Sequence, residues 1–225
     1  MSTESYRVFD TRAAEYEAWY NGEPGKGIFA MEVECLKPFL QDCPRPHLEI
    51  GVGSGRFAMA LGVEYGLDPA LGLVQIAASR GIQVVRAVGE RVPFANRSFG
   101  GVLLAVTLCF VANPLAVLRE ARRVLRPHGR LVLGLILGES PWAEHYRRKG
   151  DAGHRIYRGA RFYSREQMES LLHISRFEVA AYRSSLHQPP GQDRYSIDAS
   201  VPGYQPSAGF VAIAADIQGE RCSRC

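Results

Sequence analysis

The segment 47–57, HLEIGVGSGRF, constrains this chain more than any other. Its first four residues read as a strand, the glycines at 51, 53 and 55 as a turn, and Arg56-Phe57 as a helix start. Glycine there removes the Cβ atoms that would keep a ligand off the backbone. The N–H groups that open the following helix then face that ligand. An acid, Glu49, stands just ahead of the turn, and 17 residues past Gly51 the run Tyr65-Gly66-Leu67-Asp68 ends in a second carboxylate. Nucleotide-type α/β folds place there the acid that accepts both ribose hydroxyls. A G-x-G-x-G alone is weak, because glycine-rich turns are common. Strand, turn, helix and two acids together point to a nucleoside cofactor.

The remaining composition narrows the class. A chain of 225 residues, 46% hydrophobic and 22% charged, is globular and long enough for one α/β domain with a sizeable core. The net charge of +4 is spread along the chain, with Arg147-Arg148-Lys149 as the one local cluster. A nucleic-acid surface needs a denser basic stripe with aromatics between, so no nucleic-acid partner is expected. The polar N-terminus has no apolar signal core, and no window holds the ~18 apolar residues that span a bilayer. The expected setting is the cytoplasm, with no membrane partner. Five scattered cysteines do not make a disulfide framework. Cys222 and Cys225 form a terminal C-x-x-C, but two thiols cannot complete a tetrahedral zinc site, and no metal is expected.

Along the chain, 6–40 reads as helical: Phe9, Ala13, Tyr16 and Tyr20 share one face, and Asn21-Gly22-Glu23-Pro24-Gly25 interrupts it. Strands are expected near 47–51, 64–67, 82–86, 100–106 and 130–137, and helices near 55–61, 70–80 and 114–126. Such alternation makes βαβ units and a parallel sheet. Residues 139–161 read as irregular and 164–173 as a capped helix. Two last strands fall near 177–182 and 209–215, joined by a proline- and glycine-rich loop over 188–206. One domain accounts for 1–225: an N-terminal helical cap (1–44), a cofactor-binding core (45–137), and an acceptor-side insertion with the C-terminal strands (138–225).

Several segments in chain order over roughly 9–137 resemble the class I S-adenosylmethionine-dependent methyltransferases. The glycine-rich stretch is similar to their first motif, and Gly66-Leu67-Asp68-Pro69 to the end of their second strand. Glu90-Arg91-Val92-Pro93-Phe94 with Arg97-Ser98-Phe99 resembles the "LPF…SF" segment of the small-molecule branch, the ubiquinone- and menaquinone-type or "type 11" methyltransferases. The run 118–130, LREARRVLRPHGR, resembles that branch's "L-x-E-x-x-R-V-L-K-P-G-G". Thr107-Leu108-Cys109-Phe110 and Ala160-Arg161-Phe162-Tyr163-Ser164 resemble a subgroup from thermophilic prokaryotes. The resemblance implies a three-layer α/β/α Rossmann-like fold, a seven-stranded, mostly parallel sheet with a reversed last strand, and S-adenosylmethionine over the carboxyl ends of the strands. It puts Glu49 near the methionine ammonium and Gly51, Gly53 and Gly55 against sugar and methionine. Asp68 falls on the ribose hydroxyls, Gly89 and Glu90 beside the adenine, and Ala105 with its carbonyl toward the ammonium. Tyr16 and Trp19 match an N-terminal aromatic pair that closes over the cofactor. The branch's adenine-side acid is Val88 here, the acid of its "S-F-D" is Gly100, and its "L-H-H" is Leu108-Cys109-Phe110. Loss of that histidine argues against quinone-type chemistry.

Methyl transfer from a sulfonium is an in-line displacement on an activated carbon, so alignment and exclusion of water matter most and no fixed triad is expected. The acceptor is an unidentified small molecule. Candidate acceptor-side groups are Cys109, His145, Tyr146, Tyr157, Arg161, Tyr163 and His187, and each also has a plain structural reading. Cys109 doubles as a buried small hydrophobe, His145 and Tyr146 as surface groups, and Arg161 as a packing partner for an aromatic ring. Three alternatives stand beside this reading. One is a cofactor-binding regulatory module without turnover. Another is a NAD-dependent oxidoreductase, against which the G-x-G-x-G spacing argues. The third is a methyltransferase for a thiol or metalloid.

Overall fold

The computed structural model describes residues 7–11 and 13–220. The expected helical start is three helices, α1 (Arg7–Thr11), α2 (Ala13–Asn21) and α3 (Gly25–Leu40). The α2–α3 joint needs glycine: a Cβ on Gly25 would sit 2.1 Å from the Trp19 carbonyl oxygen. Alternation then follows as the sequence predicts, through β1 (His47–Ile50), α4 (Arg56–Leu61), β2 (Tyr65–Asp68), α5 (Leu71–Ser79), β3 (Gln83–Arg86), β4 (Phe99–Ala105), α6 (Pro114–Val124) and β5 (Leu125–Leu135). The 118–130 motif is therefore split between α6 and a strand that begins earlier than expected: Leu125 pairs with Phe99 before the register shifts and Arg130 pairs with Gly101.

Beyond β5 the reading of 139–161 as irregular is corrected. Ser140 caps a helix, α7 (Pro141–Asp151), by accepting from the Ala143 N–H, with proline in the first turn, and a 3-10 turn (Tyr157–Gly159) follows. The start signals were there, but the polar stretch 144–151 hid the apolar face. The capped helix is α8 (Arg165–Ile174), with the full Ser164–Gln167 capping box. β6 (Phe177–Ser185), β7 (Val201–Pro202) and β8 (Phe210–Ile217) complete an eight-stranded sheet in the order β3-β2-β1-β4-β5-β8-β6-β7. Seven of these are the expected strands, the two-residue β7 is an addition on the edge, and β8 is the reversed last strand, antiparallel to both β5 and β6.

The sheet is covered on both faces. Val117, Leu118 and Ala121 of α6 and Met168 and Leu172 of α8 pack on one face, and Met31, Leu36 and Leu40 of α3 with Phe57 of α4 on the other. This is why β4 and β8 are buried along their whole length and, Asp216 of β8 aside, read as apolar runs. The reversed strand is pinned by a buried pair, Arg130 donating from Nε to Asp216 at 2.8 Å across directly paired residues. Gly100 also has a packing reason: a Cβ there would lie 1.9 Å from the Pro44 carbonyl oxygen, so no acid fits.

Candidate cofactor and acceptor site

The turn after β1 is made of three left-handed glycines, Gly51, Gly53 and Gly55, with φ of 77°, 52° and 81°. Two have crowding as a second reason. A Cβ on Gly51 would fall 2.3 Å from Thr107 Cγ2, and one on Gly55 2.4 Å from Ile82 Cδ1. The turn is latched to the end of β2, where Asp68 accepts from the Gly53 N–H at 3.0 Å and from the Ala70 N–H at 2.9 Å. Burial pushes the Asp68 carboxyl up against those two hydrogen bonds. Glu49 is 1% exposed, and its Oε2 has no hydrogen-bond partner. Burial first, and then the Asp68 charge, push its carboxyl well above the usual range, although an Ala58 backbone hydrogen bond opposes them.

The other expected contacts fall as follows. Gly89 is buried against Ile50 and Val117. Glu90 accepts at 3.0 Å from both the Ala112 and the Asn113 N–H, so it ties the loop after β3 to the start of α6. Val88 is 43% exposed. The Ala105 carbonyl ends β4 and accepts from Thr107 Oγ1 at 3.0 Å, and the intervening Val106 has a φ of 52°. Trp19 is exposed and packs edge-on against Tyr20. The Tyr16 side chain, Cys222 and Cys225 lie outside the described residues.

Sequence reasoning missed how the N-terminal helices are held. Glu17 of α2 receives Arg56 Nη2 at 2.8 Å and also Arg80, which in turn donates to the Ser54 carbonyl within the turn. Burial pushes Glu17 up, but hydrogen bonds from Arg80 and Arg56 prevail and hold it down at about 2. Asp10 of α1 accepts from the Gly72 N–H at 2.8 Å, and Phe9 meets Phe110 edge to face at 5.2 Å. The signal was a polar stripe, Asp10, Glu17 and Asn21 at helical spacing, beside the aromatic one. Also missed was the work of the "E-x-x-R" in the α6 motif. Glu120 accepts from the Val92 N–H, and Arg123 donates to the Val92 and Phe94 carbonyls, so the pair clamps the "VPF" loop.

On the acceptor side the structure brings Cys109, Arg161, Phe162 and Tyr163 to one small apolar cavity at the carboxyl ends of β4 and β5, with Val106 and Ile136 among its walls. The Arg161 N–H donates to the Cys109 carbonyl at 2.9 Å, which joins the β4 loop to the 157–163 segment. The Tyr163 hydroxyl and His187 Nε2 are buried without hydrogen bonds. Burial pushes the Cys109 thiol up to about 12, so it stays a thiol that donates to the Val106 carbonyl. Burial, then Lys149 and Arg148, hold the His145 imidazolium below its usual range. The Tyr146 and Tyr157 rings meet at a tilt of 31°, with centroids 4.4 Å apart. Among the described residues no group of three His, Cys, Asp or Glu side chains could hold a metal, and no helix is long and apolar enough to cross a membrane.

A mostly parallel sheet carrying a glycine turn, with one acid ahead of the turn and another at the end of the next strand, defines a nucleoside-cofactor protein of Rossmann-like class. The comparisons sharpen this. The methyltransferase domain family matches over residues 48–133. An uncharacterised protein of Mycobacterium tuberculosis is 50% identical over 203 residues, 90% of this chain and 71% of that protein. A solved structure from Thermotoga maritima, described as a SAM-dependent methyltransferase and possible histamine N-methyltransferase, is 30% identical. It superposes with a TM-score of 0.85 over 94% of this chain and 99% of its own. Geranyl diphosphate C-methyltransferase from Streptomyces coelicolor, solved with S-adenosyl-L-homocysteine, shares the fold at TM-score 0.61 and 14% identity, over 84% of this chain and 77% of its own. The chain belongs to the class I S-adenosylmethionine-dependent methyltransferases, and S-adenosylmethionine is its cofactor.

Proposed function

We propose that this protein moves a methyl group from S-adenosylmethionine to a small molecule held between the carboxyl ends of β4 and β5, α7 and the 157–163 segment. The observation that carries the donor side is Glu49: a wholly buried carboxyl with an unpartnered oxygen, just ahead of an open backbone turn, is a receptor for a cation. The methionine ammonium is such a cation. In this reading Asp68 keeps its two backbone donors and uses its remaining lone pairs for the ribose hydroxyls. The bound cofactor supplies an activated methyl carbon. The residues here align the acceptor and keep water out, with α1 tied across the strand ends by Phe9 and Asp10. The cofactor-facing set is thus Glu49, Gly51, Gly53, Gly55, Asp68 and Ala105, and Glu90 is assigned to holding its loop.

The test pairs binding with turnover. S-adenosylhomocysteine should raise the melting temperature and NADH should not. Asp68→Ala should weaken cofactor binding by about 1.5–3 kcal/mol, the scale of hydrogen bonds to a charged group. An unchanged affinity in calorimetry sinks the site assignment. A screen of amines, phenols, thiols and metalloids, read by S-adenosylhomocysteine release, then names the acceptor. Stoichiometric cofactor binding with no turnover on any of them would support a regulatory module instead.

A further inference from the structure

The run Arg161-Phe162-Tyr163 borders two hollows. One is the small apolar cavity at the carboxyl ends of β4 and β5. The other is an open cleft of about 710 Å³ along α8, which the same three residues line together with Glu166, Ser170 and Leu171. That is the size of a small-molecule site. The backbone of the run is fixed at both ends: the Arg161 N–H donates to the Cys109 carbonyl at 2.9 Å, and the Tyr163 carbonyl accepts from the Gly138 N–H at 2.8 Å. Between them Phe162 is gripped by Arg147 at 5.7 Å over its ring and by the near-parallel Tyr146 ring at 6.3 Å. Arg147 and Arg165, which flank the run, both find partners, the Gly138 carbonyl at 2.7 Å and the Tyr204 ring at 5.0 Å. Arg161 does not. Its side chain is exposed and, among the described residues, makes no hydrogen bond, ion pair or ring contact, and Glu166 across the cleft does not pair with it.

We propose that Arg161 receives a carboxylate of the methyl acceptor, so that the acceptor is a monoanionic organic acid lying in the cleft along α8. The inference rests on the methyltransferase reading and adds the substrate class to it. A guanidinium carries five N–H donors in a planar fork that matches a carboxylate in pairs. Here the fork stands unspent on a backbone that two hydrogen bonds hold still, so little ordering remains to be done when the anion arrives. One guanidinium facing one acid, Glu166, leaves no second positive charge for a phosphate dianion, which is why a carboxylate fits better. Phe162 and Leu171 offer apolar surface to the body of such an acid, and the small Ser170 side chain leaves it room. Arg161 also lines the inner cavity, beside Cys109 at the end of β4, so an acid anchored there is held at the strand ends over which the cofactor lies.

The experiment is calorimetry on the full chain saturated with S-adenosylhomocysteine, whose binding also shows that each variant is folded. The probes are phenylacetate and hexanoate, each against its uncharged amide, with phenyl phosphate as a further arm. Each acid should bind about tenfold tighter than its amide or more, the scale of a hydrogen bond to a charged group. Arg161→Gln should erase that preference. Arg161→Lys keeps the charge without the fork and should retain a preference of about threefold. Ser170→Trp fills the cleft and should weaken acid and amide alike. An acid that binds no better than its amide, a preference that survives in R161Q, or binding that S170W leaves untouched overturns the inference alone. So does phenyl phosphate binding tighter than phenylacetate, and so does a preference that emerges only in Glu166→Gln, since Glu166 would then be the partner of Arg161. If S-adenosylhomocysteine itself does not bind, the methyltransferase reading falls and takes this one with it.

Discussion

The two ends of the groove proposed for cofactor and acceptor are built in opposite ways. Around the glycine turn, polar groups find partners close at hand: Gly51 and Val52 donate to the Leu67 carbonyl, Gly53 to Asp68, and Glu17 takes two arginines. Glu49 Oε2 and Ser54 Oγ stand out as exceptions. Across the sheet, the Tyr163 hydroxyl and His187 Nε2 are buried without a hydrogen bond, and burial pushes the Glu32 carboxyl up to about 8. On the proposed reading the difference follows from the ligands. A cofactor that never changes can be met by backbone, whose geometry a short segment fixes. An acceptor must be met by side chains brought from several elements, and those stay unsatisfied until it arrives.

The sharpest test of the ordered end is Glu17→Ala. Its carboxyl is held from 4.5 down to about 2, which at 1.36 kcal/mol per unit corresponds to about 3 kcal/mol. A depressed carboxylate stabilises fully above its unfolded value and loses that contribution as pH falls from about 4.5 toward 2. Urea melts should therefore show the wild type and the alanine variant converging over that range. Equal stability of the two at pH 7 would mean that the Glu17, Arg56 and Arg80 cluster holds nothing.

The unsatisfied end predicts the reverse sign. Glu32→Gln should stabilise the ligand-free protein at pH 7, by about 2 kcal/mol once the part-bonded amide is allowed for. A carboxyl raised from 4.5 to about 8 costs nothing below its unfolded value and more as pH climbs toward 8. The gap between variant and wild type should thus widen from pH 5 to pH 8, by a few degrees in Tm. A variant less stable than wild type at pH 8 would show that Glu32 has a partner of its own. The smallest effect is at Glu49, also raised by burial. Binding of S-adenosylhomocysteine at pH 6 should release a fraction of a proton, seen as a dependence of calorimetric heat on buffer ionisation enthalpy. No such dependence would detach Glu49 from the ammonium.

The same contrast explains what could be read ahead of the structure. The proposed donor end could be read early because its pattern is local: Glu49, Gly51 and Asp68 fall within twenty residues, on two strands and the turn and helix between them, whose periodicity shows in the sequence. Cys109, Arg161 and Tyr163 were named as acceptor-side candidates, but nothing in the sequence placed them at one cavity. Glu32 was not named, because one acid in an amphipathic helix looks like any solvated residue until tertiary packing buries it. Glu120 and Arg123 show a subtler limit: the motif was visible, yet its task, clamping the 92–94 loop, depends on where that loop lies.

Val106 closes β4 in a conformation that glycine adopts freely and a β-branched residue adopts at a cost of about 1–3 kcal/mol. Its N–H is held by the Gly134 carbonyl at 2.8 Å, so the kink does not depend on the side chain. What the isopropyl group adds is a wall to the cavity beside Cys109 and Ile136. The fold therefore keeps a loaded spring at the rim of its groove to make that hollow narrow. Val106→Gly should relax the spring and widen the hollow together, giving a sturdier protein that is less choosy about what it methylates.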